Sequence, residues 1–270
     1  NGLKGGVRKT LALSTAVHIQ RRVLRISESV RVYSKFGASL LMGRYAQQVD
    51  GKLCILPGWV DCGRFAARGI SRTDARKQLV ALWSNDALTF FSVRRLVARM
   101  GLETLIEAAV LLKEEGARFR VLIGGDGPMR GQLEVLIRQR NIEDRVHLLG
   151  LIPECDLPLC FRAADCVVLP TQDLECFGLT ILEAYAAGTA VIATPVGSIP
   201  EVIEPSLKGW MTRETSAEAL AERMRAFLRG ELDVPEHLLR QHAQAFDLEC
   251  RAAQLRDWLF EEAAGPATNG

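Results

Sequence analysis

Five short apolar segments, four of them followed by a segment of helical period, constrain the fold of this chain more than any other feature. The strand candidates are rich in Val, Ile, Leu and Phe: residues 87–93, 118–125, 145–150, 165–170 and 190–194. The segments between them have the apolar spacing of helices: residues 101–116, 128–140, 157–164 and 178–188. Because the apolar residues run continuously instead of alternating with polar ones, each strand is expected to be buried on both faces. The sequence therefore predicts an α/β fold with a doubly wound, Rossmann-like parallel sheet.

The segments on either side of this sheet predict further units. Residues 52–65, KLCILPGWVDCGRF, are typical of a short strand that enters a Pro-Gly turn in a linker. The residues before it contain helix patterns but too few strands to close a sheet. We predict a partial N-terminal domain over residues 1–56, the complete sheet domain over 57–245 and an amphipathic C-terminal helix over 246–264 that packs back toward the N-terminal region.

An apolar run from Phe177 to Val196 has about the length of a membrane-spanning helix. Glu183 lies inside this run, Gly188 interrupts it and Pro195 stands near its end, so the run predicts a helix and a strand instead. With 48% apolar residues and a net charge of +2, the chain is expected to be a soluble globular protein. No signal-peptide pattern opens the sequence, which favours a cytoplasmic location.

Cysteine and charge patterns narrow the classes of partner. The seven cysteines form no Cys-x-x-Cys pair and have no histidine at ligand spacing, so we predict reduced thiols and no metal site. Between Lys4 and Arg44, Glu28 is the one acidic residue among many basic ones. Such a stretch is most often a solvated helix face, and the alternative is a peripheral contact with the anionic inner face of a membrane. It lacks interleaved aromatic residues, so no nucleic acid is expected as a partner.

Candidate binding residues follow the predicted strands, because open α/β sheets bind ligands beyond the carboxyl ends of their strands. After the strand at 165–170, Glu175 falls in a loop and Gly178 to Thr180 fall in the first turn of the next helix. Backbone N–H groups at such a helix start can bind an anion. Glu183 lies one turn further along, where its carboxylate can accept hydrogen bonds from a ribose.

Arg94 and Arg95 follow the strand at 87–93, and their planar guanidinium groups suit a diphosphate. Taken alone, each of these features has a more ordinary explanation. Two acidic residues at this spacing are common, an Arg pair after a strand is usually surface charge, and GGDGP at 124–128 is by itself a turn. Their order along one Rossmann-like pattern favours a nucleotide site.

Several longer phrases carry a resemblance to a known family. They are LPGWVDCGRF, SVRRLVARMGLETLIEAA, VLIGGDGPMRGQLEVL, VHLLGLIP, AADCVVLPTQDLECFGLTILEAYAAGTAVIATPVGSIPEVI and GWMTRETSAEALAERM. In these phrases the chain resembles the retaining GT-B glycosyltransferases of family GT4, over roughly residues 15–262.

The resemblance implies a role for each candidate residue. Glu175 and Glu183 match the family's paired glutamates, with seven residues between them, of which the first faces the donor-sugar hydroxyls and the second the ribose. Arg95 matches the arginine that neutralises the diphosphate, and Arg94 is its neighbouring candidate. Four residues match the backbone that holds the sugar and the phosphate: Phe177, Gly178, Leu179 and Thr180. Of these residues, Glu175 and Arg95 are the catalytic candidates. The two glutamates and the two arginines act through their side chains, and the four residues from Phe177 to Thr180 act through their backbone.

Departures from the family pattern affect the same region. Arg94 stands where a glycine is usual, Met100 where a lysine is usual and Ser198 where the second glycine of a pair is usual. The family's acceptor-binding domain, with its catalytic histidine, would precede residue 15, and no histidine of this chain matches it. We therefore expect the donor half of an enzyme.

The resemblance implies transfer of a sugar from a nucleoside-diphosphate sugar to a hydroxyl of a glycan, lipid or small-molecule acceptor, with retained configuration and without a cofactor or metal. The alternative is a non-catalytic nucleotide-sugar-binding module, or a truncated remnant, that needs a separate acceptor domain. A Rossmann oxidoreductase is disfavoured, because no Gly-x-Gly-x-x-Gly motif follows an early strand.

Overall fold

The structure, a computed structural model, describes residues 15–67, 69–79, 83 and 87–263. The chain divides between Pro57 and Gly58 into two compact units. The first unit contains two short parallel strands, which pair Val30 with Leu53. Its elements are the helical residues 15–26 (α1), β1 Val30–Val32, α2 Lys35–Val49 and β2 Leu53–Ile55.

The second unit is built on a five-stranded parallel sheet. Its strands are β3 Leu88–Val93, β4 Phe119–Gly124, β5 Val146–Gly150, β6 Cys166–Leu169 and β7 Ala190–Ala193. The described helices of this unit are α3 Cys62–Phe65, α4 Arg72–Gln78, α5 Leu102–Glu114, α6 Arg130–Gln139, α7 Leu157–Ala163, α8 Leu179–Ala186, α9 Ile199–Val202, α10 Ala217–Leu228, α11 Glu236–Gln244 and α12 Leu248–Ala263. Every strand predicted within this sheet is confirmed, and a helix follows each of the first four.

The strand order is β5-β4-β3-β6-β7, so the sheet grows outward from its centre in both directions. The chain first adds β4 and β5 on one side of β3, and then crosses back to place β6 on the other side. The direction of growth therefore reverses between β3 and β6. This is the order expected of a Rossmann-like sheet, in which ligands bind at the reversal point.

Two consecutive phenylalanines of β3 show that both faces of the sheet are covered. Successive side chains of a strand point to opposite faces, yet Phe90 and Phe91 are both fully buried. Phe90 makes edge contacts with Phe119 and Phe227, whose ring centroids lie 6.3 and 5.6 Å away. Phe91 makes edge contacts with two other rings, those of Trp83 at 5.3 Å and Phe161 at 5.7 Å. The continuous apolar runs in the sequence are explained by this two-sided burial.

The segments around the sheet include the one-turn helix α9, which lies within residues 198–203. The amphipathic helix predicted over 246–264 corresponds to α12, and the domain roles predicted for 1–56, 57–245 and 246–264 stay predictions. Among the described residues, no helix has both the length and the apolar character needed to cross a membrane.

Truncation of Phe91 tests the two-sided core. Phe91→Ala should lower the free energy of unfolding by about 3–5 kcal/mol, because it removes a ring packed between two others and leaves a cavity. Leu151→Ala is the control, since Leu151 is 77% exposed, and it should change stability by no more than about 0.5 kcal/mol. Urea denaturation of both variants measures the difference, and equal losses would contradict this description of the core.

Candidate functional site at the sheet reversal point

The loops that follow β3 and β6 carry most of the predicted site residues. These two strands are neighbours in the sheet, with Phe90 paired to Cys166. Arg94 and Arg95 come directly after β3, and Glu175 lies in the loop that leads from β6 to α8. The fold therefore brings the arginines and the glutamate to the carboxyl edge of the sheet at the point where the strand order reverses.

Arg94 and Glu175 form a largely buried ion pair through Nη2 and Oε2. Their side chains are 6% and 14% exposed. The Arg94 Nε lies 3.1 Å from the sulfur of Met100, and its Nη1 is buried without an acceptor in the described part of the chain. Both members of the pair were predicted to contact a ligand, but the sequence did not indicate that they contact each other.

Two glycines hold the backbone of this pair in place. Gly125 has a φ of 119°, and a Cβ on it would lie 1.9 Å from the carbonyl oxygen of Arg94. Gly197 has a φ of 62°, and a Cβ on it would lie 2.2 Å from the carbonyl oxygen of Glu175. Ser198 donates from both its N–H and its hydroxyl to that Glu175 oxygen, at 3.0 and 3.1 Å. The loops after β4 and β7 therefore support the loops after β3 and β6.

The amino end of α8 presents backbone donors beside Glu175. Gly178 precedes the helix in the left-handed region, with a φ of 82°, and no side chain caps this end. Among the described residues, none accepts a hydrogen bond from the N–H of Leu179 or Thr180. Such N–H groups, together with the helix dipole, attract an anion. Phe177 is buried against Gly58, where an added Cβ would lie 2.6 Å from its ring, and this contact orients the turn.

Glu183 lies one turn into α8 and differs from Glu175 in having no counter-ion in contact. It is half-buried, and no described residue donates a hydrogen bond to its carboxylate. Burial raises the pKa of the Glu183 carboxyl to about 7, and the more distant Arg64 lowers this pKa only in part. At neutral pH the carboxyl is therefore divided between its charged and neutral forms, which suits a group that gains hydrogen bonds from a ligand.

The remaining predicted residues have different surroundings. Arg95 is exposed, and no carboxylate in the described part of the chain pairs with it. Met100, noted in the sequence only as a departure, turns out to contact the Arg94 guanidinium. Sequence reasoning also missed the supporting role of Gly125 and Gly197, although the GGDGP and VGS turns signalled close backbone packing. Within the described ranges, no cluster of three His, Cys, Asp or Glu side chains could hold a metal ion, and the predicted absence of a metal requirement stays a prediction.

Comparison with known proteins connects this geometry to a family. The model of the family described as "Glycosyl transferases group 1" matches residues 74–245, well over half of the chain. The putative colanic acid biosynthesis glycosyltransferase WcaL of Escherichia coli (strain K12) is 38% identical over 154 residues, which cover 55% of this chain and 37% of WcaL. The chain spans between 37% and 45% of the lengths of three such curated relatives.

Solved structures match over almost the whole chain. Sucrose-phosphate synthase from Thermosynechococcus elongatus superimposes with a TM-score of 0.81 and 26% identity, covering 94% of this chain and 63% of the synthase. HepE of Anabaena, solved in complex with UDP-glucose, has a TM-score of 0.76 and 19% identity, covering 92% of this chain and 68% of HepE. The second likeness concerns the fold alone.

Substitution of Gly125 tests the backbone contact under Arg94. Gly125→Ala should lower the free energy of unfolding by about 2 kcal/mol or more, because a Cβ would clash with the Arg94 carbonyl and strain a positive φ. Gly131→Ala is the matched control. It lies in α6 with no atom within 4 Å of the added carbon, so it should raise stability by about 0.5–1 kcal/mol. Chemical denaturation measures both changes. If both variants changed the free energy of unfolding in the same direction, the proposed contact would be wrong.

The raised pKa of Glu183 predicts a pH-dependent effect of its neutral analogue. Between its ordinary value of 4.5 and about 7, the folded protein holds a proton that the unfolded chain has lost, so wild-type stability falls as pH rises through this window. Glu183→Gln removes this loss of stability. It should raise the free energy of unfolding by on the order of 2 kcal/mol at pH 8 but change it little at pH 5. Denaturation at both pH values measures it, with the exposed Glu143→Gln as a control. A gain independent of pH would disprove the assignment.

Proposed function

This chain belongs to the glycosyl transferases group 1 family, and from that membership we propose that it binds a nucleoside-diphosphate sugar as the donor half of a retaining glycosyltransferase. The observation that carries the proposal is the set of groups at the reversal point of the sheet. Free N–H groups of α8, an exposed Arg95 and the two glutamates Glu175 and Glu183 lie on the loops and helix turn that follow β3 and β6. These groups complement an anionic diphosphate flanked by two hydroxyl-rich sugars.

Each part of the donor has a proposed partner. The N–H groups of Gly178, Leu179 and Thr180 and the guanidinium of Arg95 bind the diphosphate. Glu183 accepts hydrogen bonds from the ribose, and Glu175 accepts them from the transferred sugar, which packs against the turn around Phe177. Arg94 belongs to the same donor-binding set.

The proposed mechanism follows from where charge develops. In the transition state the bond between the sugar and the diphosphate breaks, so negative charge grows on the leaving diphosphate. Fixed N–H dipoles and Arg95 stabilise this charge without reorganising. The resemblance implies that the acceptor hydroxyl attacks from the same face of the sugar, with the leaving phosphate taking its proton. Glu175 then positions the sugar and does not act as a nucleophile, and no metal or cofactor takes part.

The similar proteins support a nucleotide sugar as the donor, and the proposed acceptor covers several classes of molecule. HepE has been solved with UDP-glucose, and WcaL is described as a glycosyltransferase. We propose a glycan, lipid or small-molecule acceptor. We also propose a cytoplasmic location. Peripheral contact with an anionic membrane is proposed from α1, in which Ile19, Val23 and Ile26 are exposed on one face with basic residues beside them.

A binding module without transfer activity is the second candidate function. The groups brought together in the second unit all serve the donor, which favours this candidate for the chain acting alone. Calorimetric titration of the 270-residue chain with UDP-, GDP- and ADP-sugars tests donor binding, and a transfer assay with the ligand that binds separates the two functions. Absence of binding to all of these nucleotide sugars would overturn both.

Proton release on binding provides a specific test of the ribose contact. If ribose hydroxyls donate to Glu183, they favour its charged form, so the pKa of about 7 falls and about half a proton leaves per ligand at pH 7. Calorimetry in phosphate and in Tris buffer measures the release, because the two buffers differ in ionisation enthalpy. Nucleotide sugars are the right ligands, since their diphosphate does not titrate near pH 7. Glu183→Gln should bind at least about tenfold more weakly and release no proton; unchanged affinity and release would refute the contact.

A further inference from the structure

Arg94 and Glu175 bring opposite charges together at the reversal point of the sheet. Each side chain also has one polar atom that takes no part in the ion pair. Nη2 of Arg94 bonds to Oε2 of Glu175. Nη1 of Arg94 is buried without an acceptor, and Oε1 of Glu175 enters no hydrogen bond with a described residue. The pair is thus neutral as a whole and still offers one donor and one acceptor.

The burial of Arg94 makes its unused donor informative. With a side chain only 6% exposed, Nη1 cannot be satisfied by bulk solvent, and a buried donor without an acceptor destabilises the protein. Nε faces the sulfur of Met100, which is a weak acceptor. Two of the three guanidinium nitrogens therefore lack a strong acceptor. A phosphate oxygen is a strong acceptor for a guanidinium group.

Backbone contacts hold Arg94 and Glu175 next to each other. Arg94 follows the strand next to the one that leads to Glu175, and its N–H donates to the carbonyl of Gly124 at 3.0 Å. Gly125 supports the Arg94 carbonyl, and Gly197 with Ser198 supports the Glu175 carbonyl. The backbone of neither residue can move far without displacing a neighbouring loop, and this restraint does not extend to the end of the Arg94 side chain.

We propose that Arg94 and Glu175 form one charge-neutral unit that couples recognition of the donor sugar to recognition of the diphosphate. Oε1 of Glu175 accepts a hydrogen bond from a sugar hydroxyl, while Nη1 of Arg94 donates to a phosphate oxygen of the same ligand. Arg94 is in addition a positioning residue, because it holds the Glu175 carboxylate in place and neutralises it beside an anionic ligand. This inference rests on the proposed nucleotide-sugar site.

The coupling has a consequence that independent contacts lack. Without Arg94, the Glu175 carboxylate is no longer held and repels the diphosphate, so the sugar contact weakens although Arg94 does not touch the sugar. The relevant quantity is the ratio of affinities for a nucleotide sugar and for its nucleoside diphosphate. Independent contacts would leave this ratio unchanged when Arg94 is replaced.

Calorimetry on the 270-residue chain with UDP, GDP and ADP, their monophosphates, and UDP-glucose, GDP-mannose and ADP-glucose measures this ratio. Arg94→Met should weaken nucleoside-diphosphate binding about tenfold and nucleotide-sugar binding about a hundredfold. Glu175→Gln should weaken only the nucleotide sugar, about tenfold. The double variant should resemble Arg94→Met, because the two residues act as one unit. Monophosphate binding should change little in all three.

Further variants keep the test interpretable. Arg94→Lys retains the charge beside Glu175 but not the forked donor, so it should restore the affinity ratio without restoring diphosphate affinity. If Arg94→Met fails to fold, the double variant, which removes both charges, and Arg94→Lys still measure the coupling. The matched control is Arg225→Met with Glu115→Gln, a pair bonded through two guanidinium nitrogens on α10 and after α5, which should change no affinity more than about twofold.

The outcomes separate the inference from the function on which it rests. A wild-type chain that binds none of the nucleotides overturns both. A wild-type chain that binds a nucleotide sugar, combined with an Arg94→Met variant that weakens both ligand classes by the same factor, overturns the coupling and leaves the proposed function standing. Multiplicative losses in the double variant overturn it as well.

Discussion

Two backbone carbonyl groups packed against glycine α-carbons determine the arrangement of the whole candidate site. A Cβ at Gly125 would lie 1.9 Å from the carbonyl oxygen of Arg94, and one at Gly197 would lie 2.2 Å from that of Glu175. No residue with a side chain permits such spacing, and both glycines have a positive φ that side chains disfavour. Four strand ends are therefore joined in two pairs by backbone contact: β3 with β4, and β6 with β7. The backbone positions of Arg94 and Glu175 follow from this support.

The order of the strands explains why opposite charges meet where they do. At the centre of the sheet, β3 and β6 are neighbours, and the strand order reverses between them, which is where open α/β sheets bind ligands. Arg94 follows the first of these strands, and Glu175 lies in the loop after the second. Removing two charges from water is unfavourable, and their mutual attraction compensates for it only while both are present. A buried pair at this position is consequently better explained by ligand recognition than by stability alone.

Local patterns were sufficient to predict the five strands of the sheet, the helices that follow four of them and the helix start at Gly178, because each depends on a few neighbouring residues. Continuous burial of β3 follows from two adjacent phenylalanines, and the helix start follows from Gly178 before an apolar period. The contact between Arg94 and Glu175 could not be predicted in the same way. Their pairing depends on the strand order and on the glycine supports, and a guanidinium can bind a carboxylate or a phosphate equally well. The pKa of Glu183 likewise depends on burial by distant segments, which no local pattern encodes.

The two glutamates of one motif have different surroundings, and this difference sets the electrostatics of the site. Glu175 lies against a guanidinium group, so its charge is compensated within the protein. No residue that the structure describes is such a partner for Glu183, and burial raises its pKa to about 7, so its charge is only partly present at neutral pH. Arg95 is exposed, and no carboxylate in the described part of the chain pairs with it. In the proposed complex, Arg95 attracts the diphosphate, and the hydroxyls of the ribose stabilise the charge on Glu183 that burial disfavours.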